Sequence, residues 1–336
     1  MLVLCDVSAH LAYVAGMMLY PCSLEEQEAA MTSSQGDRLA VGRLLDSKFH
    51  ADTKEIRSYL ESADSLMSLL VDRHAKAYKI KYCNVSTSFT ALPRDTLMRV
   101  WPAQRSQVDN QAIYVTSPSE HFRRAASRLT ASQLLLLGCW LCGTFRPRPD
   151  LPSGFIKERP LCSANEIQNH LSIHPSRRYR TKAKEASACL VDGLASPAET
   201  ALFLLLTAPT HLGGYGLPKP EANPCVPLDV SASQLLPGQA IVKPDLFWSE
   251  AKLDIEYDST EYHDSKITNY ERRRIAALMS MGIDVLPVTK QTLYDAAALH
   301  SVAKTVAMKL GLCLQEPLPH VQEELRKTVL GPCTFW

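Results

Sequence analysis

The chain has 336 residues, 46% hydrophobic and 21% charged, with 36 Lys+Arg against 35 Asp+Glu. That ordinary globular composition excludes a disordered, collagen-like or coiled-coil chain, and the length suggests two domains. A formal net charge of +1 excludes a uniformly cationic nucleic-acid coat, so any nucleic-acid contact must come from a local patch.

The first 20 residues are apolar enough for a strand or a short helix packed on a core. Asp6 and His10 interrupt them and no basic leader is present, so no secretory signal is expected. Residues 21–37 read as a polar loop. Asp52 to Ala77 has helical spacing in Ile56, Leu60, Leu66, Leu69 and Leu70. Lys79 to Phe89 alternates like a strand, and Pro93 to Asn110 reads as irregular. Ala112 to Thr116 predicts a short strand. Ser117-Pro-Ser-Glu120 then has the form of a helix start, with Ser as cap, Pro in the first position and Glu in the third. A second helix is expected from Thr130 to Cys142. Its apolar run, Leu134 to Cys142, is about nine residues against the roughly 20 that a bilayer span needs, so no membrane segment is expected.

A Pro-rich break covers 146–154, and Ser163 to Val191 reads as helix interrupted near Pro175. A short apolar helix is expected over Glu199 to Leu206, followed by a second Pro-rich passage, Pro209 to Pro237. The remainder alternates strand, strand, helix, strand, helix, then a loose tail after Leu312. The ten cysteines are scattered and read as reduced thiols of a cytoplasmic protein. Cys139-Trp-Leu-Cys142 reads as the wall of a buried helix. A redox pair would need an exposed helix start after a strand, and a zinc site would need a second pair.

The chemistry concentrates in residues 196–290. Val242-Lys-Pro-Asp245-Leu-Phe-Trp248 and Leu253-Asp-Ile-Glu256-Tyr-Asp258 read as two strands of a hairpin. Alternation puts Leu253, Ile255 and Tyr257 on one face and Asp254, Glu256 and Asp258 on the other. A two-residue turn at Ser249-Glu250 would oppose Trp248 to Ala251 and Asp245 to Asp254, with Glu256 diagonal to Asp245. Clustered acids repel and raise one another's pKa, and a divalent cation such as Mg²⁺ or Mn²⁺ would relieve that. An exposed polar edge strand with solvated acids is the alternative that the charge pattern leaves open. Upstream, Arg177, Arg178, Arg180, Lys182 and Lys184, with Tyr179 among them, form the densest basic stretch. It is either a DNA-backbone contact or a solvated helix face.

The order Ser196-Pro-Ala-Glu199, Pro244-Asp245, Ile255-Glu256-Tyr-Asp258, His263 resembles the endonuclease-like domains related to very-short-patch repair endonucleases, within the PD-(D/E)XK superfamily. Glu271-x-x-Arg274-x-x-x-Leu278-x-x-x-Gly282 and the strand ending Val288-Thr289 continue the resemblance. It covers roughly residues 190–312 and implies a restriction-endonuclease-like α-β-β-β-α-β core with a mixed sheet. It also implies that Asp245 and Glu256 are ligands to Mg²⁺ or Mn²⁺. Glu199 would be an outer ligand or water-orienting group, or equally a capping-box carboxylate. Asp258 stands where the superfamily often has lysine, Ser259 where the subgroup usually has glycine, and Glu271 where it usually has aspartate. Arg274 would meet the acids or a phosphate, and His263 is a further candidate. Ile113 to Phe145 resembles the middle of AbiEi-like abortive-infection regulators.

The expected fold class is therefore α/β, with a mixed, largely helical N-terminal module over 1–155. A basic connector at 156–195, the endonuclease-like domain at 196–312 and a tail at 313–336 follow. The expected function is metal-dependent DNA cleavage in bacterial defence or repair, with DNA and a partner protein as candidate partners. The alternative is an inactive nuclease fold that binds DNA or protein beside a toxin. Thiol redox chemistry at Cys139 and Cys142 is a third reading.

Overall fold

The structure, a computed structural model of the full chain, describes residues 2–14, 19–33, 67–72, 83–88, 96–100, 113–148, 151–174, 179–258 and 265–331. They form a mixed helix-and-sheet protein of two compact units. One is built from residues up to Leu129 and from Asn165–Lys184, the other from Thr130–Ala164 and Glu185–Cys333. No helix among the described residues is long and apolar enough to cross a membrane.

The first unit opens with β1 (Leu2–Leu4), α1 (Asp6–Val14), β2 (Leu19–Pro21) and α2 (Leu24–Ser33). β3 (Met67–Asp72), β4 (Cys83–Ser88), β5 (Leu97–Val100), β6 (Ile113–Thr116) and α3 (Pro118–Ala125) follow. Six strands make one mixed sheet in the order β2-β5-β6-β1-β3-β4. This is more sheet than the largely helical module that the sequence suggests. β1 and β6 are parallel neighbours, so α1 and α3, which follow them directly, start at the same sheet edge. Ala9, Ala12, Tyr13, Phe122 and Ala125 are buried there. Asp6 is buried beside them and accepts bonds from Arg124 at 2.9 and 3.0 Å and from Arg128 at 3.0 Å. A buried carboxylate needs such partners.

Three expectations fail in this unit, one through a local cap and two through strand pairing. Residues 24–33 are helix because Ser23 and Glu26 form a reciprocal cap, each accepting the other's N–H at 3.1 and 2.9 Å. Met67–Asp72 is strand because it is paired on both sides, by β1 and β4. A short apolar run is ambiguous between helix and buried strand until its partners are known. The rest of the helix expected over 52–77 lies outside the described residues. Leu97–Val100 is likewise a paired strand within the stretch read as irregular.

The second unit contains α4 (Ala131–Cys142), capped reciprocally by Thr130 and Gln133, and the hairpin β7 (Phe145–Pro147) and β8 (Phe155–Lys157). The helices α5 (Ala164–Ile173) and α6 (Arg180–Ala188) come next in the chain. α7 (Pro197–Thr207) is apolar all round from Ala201 to Leu206 and buries Leu202 through Leu206, as a segment enclosed on every side must. Beyond it come β9 (Glu221–Ala222), β10 (Val226–Pro227), α8 (Val230–Leu235), β11 (Ile241–Val242), β12 (Leu246–Trp248) and β13 (Leu253–Asp258). α9 (Ser265–Ser280), β14 (Asp284–Thr289), α10 (Lys290–Tyr294), α11 (Ala296–Lys309) and α12 (Pro319–Leu330) complete it.

Four strands form the second unit's main sheet in the order β14-β13-β12-β9. β13 runs antiparallel to β12 and parallel to β14, so α9 is the crossover between parallel neighbours. Phe247, Val242, Ala277, Leu278 and Ile283 form a buried cluster between this sheet and α9. The loose tail expected after Leu312 instead contains α12, which packs on α4 and α7 and buries Leu325 and Val329. Its Val321 carbonyl lies 2.5 Å from where a Cβ on Gly213 (φ +98°) would stand, so that loop needs a glycine.

Candidate metal centre

The hairpin sets the register of the acids. Trp248 pairs with Leu253, Phe247 with Asp254 and Leu246 with Ile255. The turn is therefore Ser249 to Lys252, closed by the Lys252 N–H to the Ser249 carbonyl at 3.2 Å, with Lys252 at φ +48°. It is two residues longer than the turn expected from sequence. A slide of two keeps every side chain on its expected face, because the side-chain period is two. Its effect is to align Asp245 with Glu256 instead of Asp254. The Asp245 Oδ2 accepts the Tyr257 N–H at 2.9 Å, which locks that alignment.

The acidic face is buried. Asp254 is fully enclosed and Glu256 is 3% exposed, in a strand with neighbours on both sides. An exposed polar edge strand is thus excluded. Arg274, on α9, supplies the counter-charge. It donates to Glu256 Oε2, lies 3.6 Å from Asp245 Oδ1 and donates to the Lys243 carbonyl at 2.7 Å.

One cation does not satisfy this many acids. Apart from each other, Asp254 and Glu256 Oε1 meet no donor in good hydrogen-bond geometry among the described residues. The two carboxyls share a hydrogen bond, and the Leu246 N–H also eases the Asp254 charge. Burial, then the charge of Asp245, pushes Glu256 up to about 10. Burial is also the main cause that pushes Asp254 up to about 7. Asp245 is raised by burial too, against the opposing field of Arg274. Such shifts mark a place where charge is held at a cost unless a further cation arrives.

Of the roles the sequence leaves open for Glu199, the structure shows the helix-capping one. Ser196 caps α7, its Oγ accepting the Glu199 N–H at 3.1 Å. The Glu199 carboxylate accepts the Ser196 hydroxyl and the Ala195 N–H, both at 2.9 Å. It is also raised by burial and by the nearby charge of Asp245. Asn223 joins the two acids' elements. Its side chain donates to Glu199 at 2.8 Å and its backbone N–H donates to the Asp245 carbonyl at 3.0 Å.

The remaining expected residues are scattered. Asp258 ends β13, half-buried, on the Glu256 side of the strand and opposite Thr289. His263, Arg177 and Arg178 lie outside the described residues. Arg180 donates to the Ser172 carbonyl at 2.8 Å and Lys182 to the Leu129 carbonyl at 2.7 Å, while Lys184 is exposed. Those three belong to the first unit and the acids to the second. Cys139 and Cys142 are both fully enclosed, which removes the exposed thiol that redox exchange requires.

Two residues at the site were missed in the sequence and a third was seen only in part. Asp254 was legible as part of the acidic face. Asn223 sits in a Pro-rich passage with no motif to mark it. Lys157, on β8, adds a positive field at Asp245 and is far from it in sequence.

The donors here are all carboxylate oxygens, the kind a hard divalent ion takes, but no three of these acids bring ligand atoms within 4.8 Å of one another. Asp245 is tied to the Glu256 strand through the Tyr257 N–H, and the Glu256 carboxyl shares a hydrogen bond with Asp254. No protein-family model, curated protein or solved structure matches the chain.

Proposed function

We propose that the second unit is a divalent-metal-dependent DNA endonuclease, with Asp245 and Glu256 as ligands to Mg²⁺ or Mn²⁺. The observation that carries this reading is a buried acidic face on paired strands, with more carboxylates than its single arginine can neutralise. The order of elements supports it: α7, three antiparallel strands β9, β12 and β13, the crossover α9, then parallel β14. With β10, α8 and β11 set aside as an insertion between β9 and β12, this order agrees with the α-β-β-β-α-β succession implied by the resemblance to very-short-patch-repair-like nucleases.

In this reading the Tyr257 N–H fixes the rotamer of Asp245, and the β12–β13 ladder fixes its separation from Glu256. A bound divalent ion supplies polarisation of a phosphodiester and a more acidic water. Glu199, held on three sides by Ala195, Ser196 and Asn223, is placed to orient water beside Asp245. Arg274 moves its charge from the acids to a scissile phosphate. Lys157 contributes positive field in place of the lysine that Asp258 replaces.

The test is cleavage of supercoiled and linear DNA by the full chain, with Mg²⁺, with Mn²⁺ and with EDTA. Cleavage should require the metal and should fall at least about 100-fold in both Asp245→Asn and Glu256→Gln, which remove one ligand each. Cleavage at the parent rate in both variants overturns the assignment. Arg274 already spans Asp245 and Glu256, and this favours a second reading, an inactive nuclease fold that binds DNA or a partner protein. DNA binding that ignores EDTA and survives loss of both acids would select it.

A further inference from the structure

A second cluster lies in the first unit and owes nothing to the acids above. Glu120, His170 and His174 are 1%, 5% and 3% exposed, and one donor atom from each lies within 4.8 Å of the others. His170 is on α5. The His174 N–H bonds to the His170 carbonyl at 3.0 Å, so the i, i+4 spacing of the two imidazoles is helical and places both on one face. Glu120 comes from the first turn of α3, where Ser117 caps the helix.

We infer that Glu120, His170 and His174 form a binding site for a zinc-class divalent ion. Both imidazole Nε2 atoms face the same carboxylate oxygen, Glu120 Oε2, at 2.9 Å for His170 and 3.7 Å for His174. Tetrahedral zinc with bonds of about 2.0–2.1 Å needs ligand atoms about 3.3 Å apart, a value these two distances bracket. Small side-chain rotations therefore suffice to admit the ion. Two imidazoles and one carboxylate select a borderline first-row ion over Mg²⁺ or Ca²⁺, which prefer oxygen alone.

The carboxylate is already oriented. Arg123 donates to both Glu120 oxygens at 2.7 Å and holds Oε2 toward the imidazoles, as an outer-shell partner does around bound zinc. That arginine also cancels the carboxylate charge, so the site binds more weakly than an unclamped triad. Burial keeps the His174 imidazole neutral, the form that ligates. Three protein ligands leave a fourth position for water or another small ligand.

The experiment uses the full chain, stripped with a chelator, dialysed and then equilibrated with Zn²⁺ in excess Mg²⁺, with metal content measured by atomic emission. The d–d absorption of Co²⁺ replacing Zn²⁺ provides a second readout on the unmutated protein. We expect about one Zn²⁺ per chain and a tetrahedral Co²⁺ spectrum. Affinity should fall at least about tenfold in His170→Gln and in His174→Gln, and stay unchanged in His320→Gln, an exposed histidine outside the cluster. The inference is overturned if the unmutated chain retains no zinc and gives no tetrahedral Co²⁺ band. It is also overturned if both histidine variants, folded by circular dichroism, bind zinc as the parent does. Because the readout is metal content, failure here leaves the cleavage reading intact, and the reverse also holds.

Discussion

Replacing Arg274 with methionine keeps most of the side-chain stem and removes the only guanidinium among the described residues that reaches Glu256 and Asp245. Its side chain is 21% exposed, Glu256 only 4%, so solvent screens the pair weakly. Removing one partner of a buried ion pair costs about 3–5 kcal/mol. Protons can partly replace the lost cation, because Asp254 and Glu256 are raised to about 7 and about 10. We therefore expect the lower end, about 3 kcal/mol at pH 8, or roughly 6–12 °C in Tm for a unit of this size. The sign of the pH dependence follows from the same shifts. The folded state keeps protons that the unfolded carboxyls have lost, so stability falls as pH rises from about 4 toward the folded values. Asp254, raised to about 7, loses its proton between pH 5 and pH 8 while Glu256 keeps its proton at both, so the Arg274→Met penalty should be smaller at pH 5 than at pH 8. Thermal unfolding of parent and variant at pH 5 and pH 8 in chelator decides the matter. An equal loss at both pH values, or none at pH 8, refutes the view that Arg274 neutralises a strained acidic cluster.

Two further outcomes follow from named contacts. Glu199→Ala removes acceptors for the Ala195 N–H, the Ser196 hydroxyl and Asn223, and should cost about 1–2 kcal/mol in chemical denaturation. Retained stability would mean these bonds are replaced by water. In the native protein, alkylation should modify the exposed Cys225 and Cys313 and spare Cys139 and Cys142 until denaturant is added. Burial raises the Cys139 thiol, and the Cys142 thiol is raised first by its bond to Cys162 and then by burial. Rapid labelling of either by mass spectrometry would restore the redox reading.

What was legible in the sequence was local. Ser117, Thr130 and Ser196 each announce a helix start, because a cap is a bond between residues three apart, and each forms in the structure. The acidic face of β13 was legible because alternation along a strand needs no partner. The alignment of Asp245 with Glu256 was not, since it depends on whether the chain turns in two residues or four at Ser249–Lys252. Residues 67–72 show the same limit: Leu69 and Leu70 suit a buried strand or a helix, and pairing with β1 and β4 decides. The tail after Leu312 read as loose because the surface that covers Leu325 and Val329 is made by α4 and α7, far upstream. The His170-x-x-x-His174 spacing was present inside an expected helix, but its third member, Glu120, is 50 residues away.

Central to the account is that Asp245 and Glu256 share one divalent cation, and anomalous diffraction from a Mn²⁺-soaked crystal of the full chain tests that most directly. A peak about 2.2 Å from oxygens of both carboxylates is the predicted result. A fully soaked crystal with no peak there, and with Arg274 still bound to both acids, would contradict it.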